Sequence, residues 1–314
     1  MKIAIAGDRG HTGIALGDIA KRNDCRVVGT CGGAVFRDAL VFGDFRRMLE
    51  TAKPDVLVVC SPLEEHAQTV SVAVSGLCHV FCEKPIATTF EGLAQIEAAA
   101  ARAPGVKFAQ MCGPFYDPGM WDAAALAGAI GEVRLLSAQK SYKLGRREDW
   151  FKSRATSSGI FPWVGIHAIS WLWHFAGRKK FVKIAAAHSA ERNRGHGDLE
   201  VSATAMFEFE GGVLATLTAD YFRPENAAAG HGDDRLRVVG TGGVLDVADG
   251  KCRITTNIRD EFHSSPPPRG MFDDFLCALE GKESNAILNA DVLNITRAAL
   301  TAREEADGNM GNLY

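Results

Sequence analysis

Short apolar blocks alternate with stretches of helical spacing along the first third of the chain. The run Asp55–Cys60 is continuously apolar after its first residue, which is typical of a strand covered on both faces of a parallel sheet. The predicted strands are Lys2–Ala6, Arg26–Thr30, Asp55–Cys60, Cys78–Cys82 and Val106–Gln110. The predicted helices are His11–Lys21, Phe45–Leu49, Glu64–Ser75 and Thr89–Arg102. This strand–helix order predicts a parallel sheet with right-handed crossovers.

The pattern changes near residue 115. A helix, a long strand and a second helix are predicted at Asp117–Ala129, Glu132–Tyr142 and Trp163–Ala176. From Lys183 to Thr256 the pattern is that of strands, the clearest being Val201–Glu208, Val213–Tyr221, Arg235–Val239 and Val244–Val247. Helices Met271–Leu279 and Ala290–Ala306 close the chain. We therefore expect an α/β domain over residues 1–115. An α+β domain with an open, mainly antiparallel sheet follows over 116–314, and its final helices are free to pack back on the first domain.

Composition is that of an ordinary globular protein. The 314 residues are 46% hydrophobic and 23% charged, with a formal net charge of −3. That charge gives no electrostatic footprint for nucleic acid or an anionic membrane, and no apolar run is long enough to span a bilayer. The N-terminal sequence, MKIAIAGDRG, lacks the apolar stretch of a signal peptide. We expect a cytoplasmic protein with a small-molecule substrate.

Eight cysteines are scattered along the chain without a Cys-x-x-Cys pair. Cys78 and Cys82 flank a predicted strand, where alternation places both on one face and His79 on the other. A metal site there lacks a second cluster of ligands. We expect reduced thiols and no metal.

A glycine-rich turn follows the first strand and opens the first helix. It consists of Gly7, Asp8, Arg9, Gly10, His11, Thr12 and Gly13. Such a turn lets the backbone approach a pyrophosphate, which the helix N-terminus then holds. The spacing is G-x-x-G-x-x-G rather than G-x-G-x-x-G, so a plain strand–turn–helix is the alternative. The strands that follow favour a dinucleotide site.

The second strand should end in an acid if a carboxylate holds the adenosine ribose. Here Cys31 is followed by Gly32, which leaves room for a 2′-phosphate that Arg37 could reach. Arg37 could equally be a solvated surface charge. The pattern leaves NAD and NADP open.

The tripeptide Glu83-Lys84-Pro85 follows the fourth predicted strand. Ligands of open α/β sheets bind at the carboxyl ends of the strands. A lysine there can donate a hydrogen bond to a substrate hydroxyl and take part in proton transfer. The alternative is a surface Glu–Lys pair before a proline turn.

These features resemble the glucose-fructose oxidoreductase, inositol dehydrogenase and MocA (Gfo/Idh/MocA) family, from Lys2 to about Arg303. The matching motifs are the glycine turn, Cys60-Ser61-Pro62 with Glu65-His66, Cys82-Glu83-Lys84-Pro85, Gly128-Ala129-Ile130-Gly131-Glu132-Val133, Ser158-Gly159, Gly165-Ile166-His167 and Val239-Gly240-Thr241-Gly242-Gly243-Val244-Leu245. The resemblance implies a Rossmann domain, hydride transfer between NAD or NADP and a hydroxyl or carbonyl, often of a sugar or cyclic polyol, and a homodimer or homotetramer formed through the open sheet.

The resemblance also implies roles for individual residues. Lys84 and His167 are the catalytic candidates, with His167 relaying the proton of the reacting hydroxyl. Ser61, Pro62, His66 and Glu83 join the glycine turn, Cys31, Arg37 and Lys84 as cofactor-binding candidates. Trp163, Tyr142 and Trp150 are the substrate candidates. Without the resemblance, His167 would be interpreted as a core histidine on a helix rich in aromatic residues.

Three positions depart from the family pattern. Trp163 and Ser170 stand where many members carry aspartates, and Phe115-Tyr116-Asp117-Pro118 lacks the usual arginine. A water, Asp220 or Asp149 could supply the third catalytic group. Trp163 could form a stacking wall for a sugar ring or belong to the core.

Three functions therefore remain open. The first is an NAD(P)-dependent dehydrogenase or reductase. The second is an enzyme that retains the nicotinamide and oxidises its substrate transiently to break a C–O bond by elimination or hydrolysis. The third is a non-catalytic dinucleotide- or sugar-binding protein, which the loss of Asp at 163 favours and the retention of Lys84 and His167 opposes.

Overall fold

The computed structural model describes residues 1–227 and 233–309. Its strands are β1 Lys2–Ala6, β2 Arg26–Cys31, β3 Leu40–Val41, β4 Val56–Val59, β5 His79–Cys82, β6 Phe108–Gln110, β7 Val133–Ser141, β8 Phe181–Ser189, β9 Ser202–Phe209, β10 Val213–Asp220, β11 Arg235–Gly240, β12 Gly243–Ala248, β13 Lys251–Thr256 and β14 Asp260–His263. Its α-helices are α1 Thr12–Ile19, α2 Phe45–Ala52, α3 His66–Ser75, α4 Phe90–Arg102, α5 Pro118–Leu126, α6 Arg154–Ser157, α7 Ile166–Phe175, α8 Met271–Leu279 and α9 Ala290–Asn309.

The chain divides into two compact units. The first contains Met1–Met111 and Arg269–Thr296, and the second contains Cys112–Pro268 and the chain from Arg297 onward. Helix α8 therefore belongs to the first unit. The sequence predicts the domain boundary at residue 115, with the final helices free to pack back on the first domain.

The first unit is built on a six-stranded parallel sheet with the order β3-β2-β1-β4-β5-β6. The fold class predicted for this half of the chain is thereby confirmed. Strand β3 was not predicted, because its two exposed residues carry no alternation.

Helix α8 completes the core of the first unit. Phe272 and Phe275 pack on Phe81 of β5 with ring centroids 5.0 and 5.6 Å away. The Asp18 carboxylate of α1 accepts hydrogen bonds from the Phe272 and Asp273 backbone N–H groups at the start of α8. A carboxylate at this position satisfies N–H groups that have no partner inside the helix.

The second unit is built on an eight-stranded sheet with the order β14-β13-β12-β11-β7-β10-β9-β8. Its pairs are antiparallel except β7 with β10, which is parallel, so the predicted mainly antiparallel sheet is confirmed. Strand β14 was missed because all four of its residues are exposed or half-buried. Helix α7 packs on β7 and buries Trp171 and Trp173.

None of the helices in residues 1–227 and 233–309 is both long enough and apolar enough to cross a membrane.

Candidate active site

The glycine turn lies at the carboxyl edge of the six-stranded sheet. The Gly7 N–H donates to the Cys31 carbonyl over 2.9 Å, and the Arg9 N–H donates to the Cys60 carbonyl over 2.9 Å. Gly7 and Gly10 have φ angles of +88° and +68°, which favour glycine. A Cβ added to Gly7 would lie 2.3 Å from the Cys60 carbonyl oxygen. The turn therefore needs glycine at position 7 for its own packing.

In the described residues, the N-terminus of helix α1 has no capping side chain. His11 at the N-cap position makes no side-chain capping hydrogen bond, and the first turn holds no acidic residue. A Cβ added to Gly13 would meet no atom within 4 Å. A helix N-terminus without a capping side chain or a first-turn acid fits a pyrophosphate, so these residues suit the dinucleotide that the sequence predicts.

The end of β2 also lies at this edge. Gly32 and Gly33 both have positive φ, and a Cβ added to Gly33 would lie 2.9 Å from Oδ2 of Asp8. The Asp8 carboxylate therefore lies against the end of β2. Burial raises the pKa of the Cys31 thiol to about 11, so the thiol is neutral near pH 7.

Arg37 lies away from the glycine turn. Its guanidinium packs over the Phe36 ring at 5.2 Å, and it borders a groove together with Arg26 and Val27, the first residues of β2. Cys31 ends the same strand, so Arg37 and the glycine turn are at opposite ends of β2.

The Glu83-Lys84-Pro85 turn is buried. Glu83 and Lys84 each have 1% of their surface exposed, and the Lys84–Pro85 peptide bond is cis. Nδ1 of His11 lies 2.9 Å from Oε1 of Glu83. The predicted phosphate turn and the predicted catalytic turn therefore touch through these two side chains. A lysine this deeply buried is rare, which argues against the surface-pair reading.

His66 connects two backbone turns and is fully buried. Its Nδ1 lies 2.8 Å from the Pro85 carbonyl and its Nε2 lies 3.0 Å from the Ser61 carbonyl. Burial lowers its pKa below the usual value. These contacts hold the turn that starts at Ser61 and Pro62 beside the Glu83–Pro85 turn.

In the second unit, a π-helical turn at Phe161–Gly165 runs into α7. Between residues 157 and 173, Trp163 and His167 are the two residues that are partly exposed, and the others are buried. Because they are four residues apart, the two side chains lie on one accessible face. Ser170 donates to the His167 carbonyl over 2.6 Å and is fully buried.

A buried carboxylate fixes the start of this helical segment. Oε2 of Glu200 accepts from the Ile160 N–H at 3.2 Å, and Oε1 lies 2.7 Å from the Arg154 guanidinium. The pair anchors the segment that carries Trp163 and His167.

The predicted substrate residues belong to aromatic clusters. Trp163 packs edge-on against Trp150, at 5.7 Å, and against Phe151, at 5.5 Å. Tyr142 lies 6.3 Å from the Tyr221 ring. Trp150 and Trp163 are thus brought together, and Tyr142 belongs to a second pair.

The two candidate third groups have other partners. Asp220 accepts from the Ser141 hydroxyl at 2.7 Å and from the Phe222 N–H at 2.8 Å. Asp149 is exposed and lies 2.7 Å from the Lys152 ammonium.

Sequence reasoning missed two cations in the second unit. Lys140 is buried on β7 beside Asp234, and Arg147 packs on two aromatic rings. The signal for Lys140 was its alternation with the inward residues Leu136 and Ala138. Arg147 stands in a charged loop sequence that carries no comparable signal.

Two family models match the chain. Residues 9–110 match the model described as "Oxidoreductase family, NAD-binding Rossmann fold", and residues 123–246 match the "GFO/IDH/MocA C-terminal domain". A solved Thermotoga maritima structure, whose description as an oxidoreductase is itself provisional, is 36% identical, with a TM-score of 0.90 and 98% of each chain covered.

Curated relatives match over shorter stretches. YrbE of Bacillus subtilis, an uncharacterised oxidoreductase, is 27% identical over 207 residues, which are 65% of this chain and 58% of YrbE. Inositol 2-dehydrogenase of Paracoccus denitrificans is 37% identical over 100 residues, 31% of this chain and 28% of that enzyme. The matches thus span about half or less of these relatives. The family models and the full-length structural match place the chain in the Gfo/Idh/MocA family of NAD-binding oxidoreductases.

Proposed function

We propose that this protein is an NAD-dependent dehydrogenase or reductase acting on a hydroxyl or carbonyl group of a sugar or cyclic polyol. The observation that carries the proposal is the burial of Lys84 at the carboxyl end of β5. Its neighbour Glu83 contacts His11 of the glycine turn. A buried cation beside a dinucleotide turn suits proton handling next to a nicotinamide.

When bound, the nicotinamide supplies a hydride acceptor or donor. In the proposed oxidation, the Lys84 ammonium donates a hydrogen bond to the reacting hydroxyl and stabilises the oxygen as it loses its proton. The neutral imidazole of His167 accepts that proton, and in the reverse direction its protonated form returns it. Trp163 offers an apolar face to the ring of the substrate.

Asp8 supports NAD over NADP. Its exposed carboxylate lies against Gly33 at the end of β2, where an acid usually holds the ribose hydroxyls. The carboxylate can accept hydrogen bonds from a free 2′-hydroxyl and would repel a 2′-phosphate. We expect NAD to bind at least tenfold tighter than NADP by calorimetry, and Asp8→Asn to narrow that ratio. A native preference for NADP would overturn this assignment.

A substrate panel tests the proposed reaction. Sugars, inositols and sugar acids are offered with NAD and with NADP, and the reduced nicotinamide is followed by absorbance. Lys84→Met, His167→Asn and the double variant are then compared on the substrate that reacts. If both residues serve one proton-transfer step, their losses in kcat are not additive. Additive losses would assign them to separate steps.

Trp163 favours a second candidate function, in which the substrate is oxidised transiently and the net reaction is elimination or hydrolysis of a C–O bond. It does so because Trp163 replaces the aspartate that the family resemblance implies at this position. Such an enzyme retains its nicotinamide during purification and shows no net change in its redox state. Release of the purified protein's nucleotide by denaturation, with analysis of its redox state before and after turnover, separates the two reactions.

We further propose that the protein works in the cytoplasm as a homodimer or homotetramer. All eight cysteines are free thiols. The eight-stranded sheet exposes large apolar side chains, among them Leu135, Met206 and Leu214. Light scattering at several concentrations tests the assembly, and a monomer throughout would contradict it.

A further inference from the structure

A continuous series of contacts between aromatic rings and cations connects Trp163 with Trp171, which lie on either side of His167 along the chain. Starting from Trp163, it passes to Phe151 and then to the Arg147 guanidinium, which lies 4.8 Å from the Phe151 centroid. Trp163 is one helical turn before His167.

The same guanidinium lies 5.1 Å from the Tyr221 centroid, and Tyr221 packs on Tyr142. The Lys140 ammonium lies 5.3 Å from the Tyr142 ring and 5.2 Å from the Trp171 ring. Trp171 is one turn after His167. The contacts thus run from one turn before His167 to one turn after it, with two cations held in place by aromatic rings.

The two cations differ in their partners. Lys140 forms an ion pair with Asp234. Burial raises the pKa of the Asp117 carboxyl, and the charge of Lys140 partly opposes that rise. Arg147 donates to the Lys143 carbonyl over 2.7 Å, and its Nε is buried without a hydrogen-bond partner in the described residues. Within residues 1–227 and 233–309, Arg147 forms no ion pair with a carboxylate.

Arg147 also borders a groove of about 710 Å³ on the second unit. The groove is lined by Arg146, Arg147, Glu148, Asp149, Lys152, Arg194, Gly195 and His196. Four of these residues are permanent cations and two are acids. Asp149 pairs with Lys152, and Arg194 lies 3.6 Å from the Glu225 carboxylate. The positive charge that remains is therefore concentrated at Arg146 and Arg147.

We propose that this groove, with Arg147 as its fixed contact, binds an anionic group of the substrate, either a carboxylate or a phosphate. The inference rests on the proposed function and narrows its substrate class to acidic or phosphorylated sugars and polyols. A guanidinium is permanently charged and donates charge-assisted hydrogen bonds to both kinds of oxyanion. Stacking on Phe151 and Tyr221 fixes its orientation before the ligand arrives, which reduces the entropy lost on binding.

Binding of simple anions tests the inference without needing turnover. Inorganic phosphate and D-gluconate are titrated into the native protein at constant ionic strength, with chloride as the balancing anion. The variants are Arg147→Gln and Arg147→Lys. Arg178→Gln is the matched control, because Arg178 also packs on an aromatic ring of the second unit, that of Trp173, but does not line the groove.

We expect at least one of the two anions to bind the native protein and the Arg178→Gln control with similar affinity. Arg147→Gln should weaken that binding tenfold or more, and Arg147→Lys should restore part of it. The anion that binds more tightly identifies the source, a carboxylate or a phosphate. Absence of binding by both anions, or equal affinity in Arg147→Gln, would overturn the inference.

Arg147→Gln could disturb the aromatic packing. Arg146→Gln and Arg194→Gln change exposed side chains of the same groove and give a second measurement. Each should weaken anion binding severalfold, and no change in either would count against the groove. If a neutral sugar is oxidised efficiently while the native protein binds neither anion, the proposed function stands and this inference fails.

Discussion

Nδ1 of His11 lies 2.9 Å from Oε1 of Glu83, 72 residues away along the chain. His11 precedes the first turn of α1, and Glu83 precedes the buried Lys84. The contact joins the proposed phosphate turn to the proposed catalytic turn within one unit. Parallel strands explain it, since the carboxyl ends of β1 and β5 meet at the same edge.

Two glycines of α1 give a matched pair for the cofactor site. A Cβ at Gly13 or Gly17 meets no atom within 4 Å, so Gly13→Ala and Gly17→Ala should each stabilise the protein by roughly 0.5–1 kcal/mol. Gly13 lies at the helix start, where the pyrophosphate is expected. Gly13→Ala should therefore weaken NAD binding about tenfold or more by calorimetry, since a 1.4 kcal/mol loss already corresponds to that factor. Equal affinity in both variants would place the pyrophosphate elsewhere.

Trp163→Asp places a carboxylate one turn before His167, where the family resemblance implies an aspartate. A nearby negative charge favours the protonated imidazole, so the acid limb of the pH–rate profile should move to higher pH. Trp163→Phe, which retains ring packing on Trp150 and Phe151, is the control and should keep the native profile. Identical profiles in all three proteins would make Trp163 a packing residue.

The reactivity of the cysteine thiols measures how deeply the cysteines are buried. Of the eight cysteines only Cys25 is partly exposed, and burial raises the pKa of Cys60, Cys78 and Cys252 to about 12. Native protein should therefore expose about one reactive thiol per chain to a disulfide reagent, and Cys25→Ser should remove it. Several fast-reacting thiols in the native state would contradict the packing described for both sheets.

His174 links stability to pH. Burial, with the neighbouring Arg178, lowers its pKa to about 4, while an unfolded histidine titrates near 6.5. Between these values the unfolded chain binds more protons, so stability falls as the pH falls. The loss from this residue between pH 7 and pH 5 is about 2 kcal/mol for a shift of that size.

His174→Phe removes the titrating ring and retains the edge contact with Phe115. Urea unfolding at the two pH values should show a smaller acid-induced loss in the variant than in the native protein. An equal loss in both would mean that His174 titrates normally.

The strand–helix alternation was enough to predict the parallel sheet and five of its six strands, because buried parallel strands such as β4 are continuously apolar. Lys84 could be placed at a strand end, but its burial could not be known, since that depends on elements far away in sequence. The position of Asp8 against Gly33 was also hidden, because it arises from the backbone turns after β1 and β2. Arg147 was missed because its aromatic partner Tyr221 lies in another segment.

The role of Lys84 is the central claim of this account, and the most direct measurement compares native protein with Lys84→Met. Both are assayed for the Kd of NAD and for kcat on the best substrate of the panel. If Lys84 acts on the reacting hydroxyl, kcat should fall by about 10²- to 10⁴-fold while the Kd of NAD changes little. A Lys84→Met variant that folds and retains native kcat would contradict the catalytic assignment.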